Sequence, residues 1–168
     1  PWMRVNKSYK FNGPNGETDL EGLFEGRSQL IVYHHMLQPD DPAPCTGCSM
    51  VGDHIPPLSH LNARDLTRVF IARAPAPQIE AYNRRMGWTM PFYQSTDSFG
   101  PDFGIHGGFG LNVFLRTDDG IMRTYYTSYR GVETLGTPMA LLDITPYGRQ
   151  ESWQDAPEGV AQDAPYQW

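Results

Sequence analysis

The residues most able to do chemistry are the chain's only two cysteines, Cys45 and Cys48, set two residues apart in the stretch APCTGCSM, residues 43–50. A thiolate, not a thiol, is the nucleophile. A free cysteine titrates near ~8.5, but at a helix N-terminus or in a Cys-X-X-Cys pair it falls to roughly 3.5–7.5. Unpaired amides and the helix dipole favour the anion there. Cys45 follows Pro44 where a loop should enter a helix, and Cys48 lies one turn on, on the same face and within disulfide reach. That pattern assigns attack on a disulfide or an oxidised sulfur to Cys45 and resolution of the mixed disulfide to Cys48. Gly47 permits close approach, and Thr46 and Gly47 tune the pair. The competing readings are half of a metal site, or two inert thiols in a core.

The histidines are the next candidates. His34 and His35 end an apolar run, SQLIVYHHM (28–36), that reads as a strand buried on both faces. Adjacent strand residues point to opposite faces, so at most one of them aims at the cysteines, as a base. His106 lies in the glycine-rich stretch GIHGGFG (104–110), a loop expected to face the pair. Cys45 and Cys48 with His34 and His106 form the alternative metal set, whose thiolate and imidazole ligands suit zinc or copper(I). Asp40 and Asp41 read as a solvated turn, Arg130 as an ion-pair partner, and Trp88, Phe92, Tyr93 and Phe103 as core or cleft wall. No Gly-rich phosphate-binding motif is present, so no cofactor is expected.

The elements that must position these residues follow in order. A short strand near Tyr9–Phe11 precedes an Asn-Gly-Pro-Asn-Gly turn, and one helical turn capped by Thr18 or Asp19 comes before the strand at 28–36. A proline-rich loop leads to a helix from Cys45, interrupted near Pro56-Pro57. A strand at Leu66–Ala74 and an amphipathic helix ended by Gly87 come next. The segment at 88–96 is extended, the glycine-rich loop follows, and a hairpin then turns at Thr117-Asp118-Asp119-Gly120. A last helix is expected over Val132–Leu142. Alternating units followed by a hairpin imply an α/β fold with a central mixed sheet flanked by helices. Residues 1–144 form the expected domain; residues 145–168, rich in Pro, Gln, Asp and Gly, are expected to be a loosely packed tail.

Bulk properties narrow the partners. A chain of 168 residues can bury one core without staples. Its net charge of −6 offers no basic stripe for nucleic acid. Apolar runs are too short to span a bilayer, and no basic segment followed by an apolar run opens the chain. A cytoplasmic location is expected, with a protein or small-molecule thiol or disulfide as partner and neither nucleic acid nor membrane. A homodimer is compatible with these features. In a reducing compartment a close cysteine pair is more often catalytic or metal-binding than structural.

The phrases SQLIVYHHM, CTGC, HLNARD, IEAYNRRMGW, DFG and LNVFLR resemble the DUF899 family of bacterial thioredoxin-like proteins over nearly the whole chain. The resemblance implies a thioredoxin fold, closed by a hairpin and helix, with kinship to peroxiredoxin-like proteins. It supplies no substrate. Two departures from ordinary thioredoxins stand out. Eight residues separate Met36 from Cys45, and Gly110 stands where thioredoxins carry a cis-proline facing their cysteines. The peroxiredoxin motif Pro-x-x-x-Thr-x-x-Cys, laid on Cys48, meets Asp41 and Cys45 instead of Pro and Thr. A thiol peroxidase attacking through Cys48 is therefore the second enzymatic expectation, with Cys45 capturing the sulfenic acid.

Overall fold

The computed structural model describes residues 2–165. Eight strands make one mixed sheet: β1 (Met3–Arg4), β2 (Lys10–Gly13), β3 (Gly16–Asp19), β4 (Gln29–His34), β5 (Leu66–Ala72), β6 (Phe92–Ser95), β7 (Gly110–Thr117) and β8 (Gly120–Ser128). Their order across the sheet is β1-β8-β7-β4-β5-β6-β2-β3. The apolar run at 28–36 lies in the middle as β4, parallel to β5 and antiparallel to β7. Among the described residues five α-helices lie between and after the strands: α1 (Thr46–Asp53), α2 (Leu58–Asn62), α3 (Ala76–Met86), α4 (Phe99–Asp102) and α5 (Thr137–Asp143).

Local chemistry explains most boundaries. Asp19 Oδ1 accepts from the Gly22 amide at 2.8 Å and starts the 3₁₀ turn Gly22–Phe24. The prolines at 56 and 57 separate α1 from α2, since a proline lacks the donor a continuous helix needs. Gly87, at φ 70°, closes α3 with its amide on the Arg84 and Asn83 carbonyls. The expected helix over Val132–Leu142 is corrected: Tyr129–Leu135 is 3₁₀, Gly136 is extended, and α5 begins only at Thr137, with Pro138 in its first turn. The short pairing of β1 with β8, the strand β3 and the helix α4 carry no pattern that the sequence expectations used.

Two cores sandwich the sheet. On one face Tyr33, Phe70, Ala72 and Leu111 pack under Cys48 and Val51 of α1, Ile79 and Tyr82 of α3, and Val132. On the other, Leu30, Val32, Val69, Ile71 and Phe114 pack against Phe11, Leu23, Phe24, Phe99 and Phe103. Alternate residues of β4 and β5 thus enter different cores, as a pleated strand requires. Within the expected tail, Arg149 bonds Asp143 and Glu133 at 2.6 Å each, and Glu151 is buried; residues 166–168 of that tail lie outside the described residues. No helix among the described residues is long and apolar enough to cross a membrane.

Candidate active site

Cys45 is the N-cap residue of α1. Its backbone is non-helical, at φ −50° and ψ 118°, and its sulfur accepts from the Cys48 amide at 3.3 Å. Serine, threonine and aspartate ordinarily fill this position because their oxygens satisfy an orphan helix amide; here sulfur does so. Ser49 Oγ donates to the Cys45 carbonyl at 2.8 Å and also meets the Tyr82 hydroxyl, which ties the start of α1 to α3.

The two thiols are not equivalent. Cys45 is half-buried and Cys48 is buried. The hydrogen bond from the Cys48 thiol, then those from the Cys48 and Gly47 amides, hold Cys45 down at about 6, against partial burial and the charge of Asp41. Cys48 is pushed up by the bond it gives Cys45, by its own burial and by the Cys45 charge. The Tyr33 hydroxyl has no conventional hydrogen-bond partner and faces the Cys48 sulfur. At neutral pH the arrangement is therefore a thiolate at Cys45 and a thiol at Cys48. Both cysteines are free.

A cavity of about 560 Å³ opens onto the pair. Thr46, Gly47, Met50 and Val51 line it from α1, Tyr33 and Met36 from β4 and the residues after it, and His106 to Phe109 from the glycine-rich loop. Tyr129, Val132, Glu133 and Met139 complete the wall. Glu133 is ion-paired with Arg149 at 2.6 Å and Arg130 at 3.3 Å.

The histidines part company here. His106 reaches the cavity, whereas His34 and His35 are absent from its lining. His34 belongs to the opposite face: it stacks on Phe99 and its Nε2 lies 3.1 Å from Asn112 Nδ2. Burial drives it down to about 3. His35 shares the cysteine face but is boxed by Phe70, Tyr82, Trp88 and Phe92, with both ring nitrogens buried and unpartnered. Burial takes it down to about 4, with a small opposing pull from Asp41. The set Cys45, Cys48, His34 and His106 is thus split across the sheet. Among the described residues no three His, Cys, Asp or Glu side chains gather as a metal site.

Gly110 pairs with His34 in the β4–β7 ladder. A Cβ there would stand 2.5 Å from Ile105 Cδ1 and 2.9 Å from the Thr127 carbonyl, so packing requires glycine at this point. Arg130 is ion-paired, as expected, with Glu133 and Glu151. The sequence reading missed the cavity walls at Met36, Met50, Tyr129 and Met139. For Met36 and Tyr33 the signal was strand position beside the cysteine loop; for Tyr129 and Met139, which approach through tertiary packing, there was none.

Solved structures share this arrangement of sheet and helices. The bacterioferritin comigratory protein of Xanthomonas campestris matches at a TM-score of 0.51 with 14% identity, over 79% of this chain and 88% of its own. Peroxidoxin BcpB of Mycobacterium tuberculosis matches at 0.52 with 15% identity, over 80% and 94%. A protein from Bacteroides thetaiotaomicron, assigned provisionally as a protein disulfide isomerase, matches at 0.51 with 17% identity, over 82% and 86%. The fold is α/β and thioredoxin-like. The chain belongs to the family described as bacterial protein of unknown function (DUF899), whose sequence profile matches residues 1–168. No curated protein matches it in sequence.

Proposed function

We propose that the protein is a thiol–disulfide oxidoreductase in which Cys45 attacks and Cys48 resolves. The observation that carries this is the Cys45 sulfur capping α1, ionised near neutral pH and open to a cavity, with a protonated thiol one turn behind it. The Cys45 thiolate attacks one sulfur of a disulfide, forms a mixed disulfide and expels the other half as a thiolate. Cys48 then attacks the Cys45 sulfur and releases the second half, which leaves as a thiol after taking up the Cys48 proton through solvent. The protein is left with a Cys45–Cys48 disulfide; an external dithiol returns the two electrons, and of its two protons one restores the Cys48 thiol while the other passes to solvent. Once Cys45 is bonded to substrate its charge is gone, which removes one cause of the raised Cys48 pKa.

The Xanthomonas protein among the fold neighbours has alkyl peroxide reduction activity. Burial and the raised Cys48 thiol do not favour attack on peroxide through Cys48 here; the more accessible and ionised sulfur is Cys45. A protein or small-molecule disulfide in a reducing compartment such as the cytoplasm is the partner class this role requires.

The test is dithiol-driven reduction of a small disulfide. Wild type turns over, Cys45→Ser does not, and Cys48→Ser accumulates a mixed disulfide on Cys45 detectable by intact mass. Turnover that survives Cys45→Ser would overturn the assignment.

A further inference from the structure

The cavity beside Cys45 also selects what can reach it, an inference that rests on the oxidoreductase role. Its volume, about 560 Å³, falls within the roughly 300–1,000 Å³ of small-molecule sites. Met36, Met50, Met139, Phe109 and Val132 make most of the lining apolar, and Tyr129 adds a ring. Methionine side chains are flexible and polarisable, so three of them adapt to differently shaped apolar groups. Among the described residues no lysine or arginine lines the cavity. Its one carboxylate, Glu133, is occupied by Arg149 and Arg130. Beside the single imidazole of His106, an anionic substrate would find no side-chain cation in this lining, so burying its charge there is costly. An extended polypeptide brings a donor and an acceptor at every residue, whereas most of this lining, Gly47, Gly107 and Gly108 apart, is contributed by residues with side chains.

We propose that the site reduces small, uncharged, apolar disulfides, with the organic group seated between the methionines and Phe109 while its sulfur meets Cys45. Each turnover converts one such disulfide to two thiols, with a dithiol as the electron donor.

The experiment mixes fully reduced protein with either of two chromogenic aromatic disulfides, uncharged dipyridyl disulfide or dianionic bis(nitrobenzoate) disulfide. Each rate is divided by the rate of the same probe with a small neutral thiol, and the series is repeated at high salt to screen the overall charge of −6. After that normalisation the uncharged probe is expected to react about tenfold faster or more, with a rate that saturates, because only the anion is buried unpaired. Met36→Lys, which supplies a counter-ion, and the milder Met50→Gln, both at half-buried positions, should each shrink that ratio. Equal normalised rates with both probes, each ending in a Cys45–Cys48 disulfide, would overturn the substrate class and leave the oxidoreductase role standing. Failure of both probes to yield that disulfide would overturn the role and the inference together, and reaction with the dianionic probe alone would overturn the substrate class.

Discussion

The Cys48 amide donates to the Cys45 sulfur across 3.3 Å, so the atom that caps the helix is also the nucleophile. An anion accepts that bond better than a neutral thiol, and the Cys48 thiol adds a stronger one. Alkylation of the reduced protein by iodoacetamide should therefore titrate at Cys45 near pH 6. Cys48→Ala, which deletes the largest cause, should move the midpoint up toward an ordinary thiol. Cys48→Ser keeps a donor and should move it less. A wild-type midpoint at an ordinary thiol value of ~8.5 would dispose of the thiolate cap.

The same asymmetry shapes the redox potential. Below about pH 6 reduction of the pair takes up two protons with two electrons; above it Cys45 stays ionised and only Cys48 is protonated. The midpoint potential should fall by about 59 mV per pH unit on the acid side and about 30 mV beyond the break, since each proton per two electrons contributes about 30 mV. Equilibration against a dithiol couple over pH 5 to 8 reads the slope. One straight line through the whole range would contradict the split in thiol chemistry.

Two glycines in α1 should respond oppositely to alanine. A Cβ on Gly47 would meet only the Cys45 sulfur, at 4.0 Å, so Gly47→Ala should stabilise the helix by about 0.5–1 kcal/mol. A Cβ on Gly52 would sit 2.3 Å from the Trp88 ring. That ring is held by its 2.8 Å bond to Asp53 and by contact with Tyr82 and Phe70. Gly52→Ala should cost about 1–3 kcal/mol despite the better helix propensity. Urea unfolding of the reduced variants decides both signs. Gly47→Pro separately deletes an amide that bonds the thiolate and should raise the Cys45 midpoint.

Much of this site could be read before any coordinates. The unbroken apolar run at 28–36 announced a central strand, and a Cys-X-X-Cys pair after a proline loop announced a helix start. Both depend on local pattern. Strand parity allowed only one of His34 and His35 on the cysteine face, but it could not show that the one that faces it, His35, is sealed by four aromatic rings. Those rings come from three separate elements and the loop at 88. Buried Arg68, with Nε and one terminal nitrogen unpartnered, likewise sits inside what reads as an ordinary apolar strand. The cavity wall at 129–139 was invisible because a 3₁₀ turn, Gly136 and a short helix replace the single helix that the pattern suggested.

His34 and His35 make acid the weak side of this fold. Both are buried and held neutral, down to about 3 and about 4. The unfolded chain begins to protonate them near ~6.5, so their contribution is complete above that pH and is lost as pH falls toward those lower values. Each adds about 1.4 kcal/mol per pH unit to the slope in that window. The contribution of the depressed Cys45 pKa lies higher, between about 6 and the ordinary thiol value of ~8.5, and is likewise lost as pH falls. The two windows can therefore be told apart. His35→Phe keeps an aromatic ring in the box and removes two unpartnered nitrogens. It should raise stability at neutral pH by about 1 kcal/mol or more, the usual cost of an unsatisfied buried polar atom. It should also flatten the acid slope by about 1.4 kcal/mol per pH unit while leaving the Cys45 alkylation midpoint in place. If instead the midpoint moves and the slope does not, His35 acts on the thiolate and is not the sealed, neutral ring that its surroundings require.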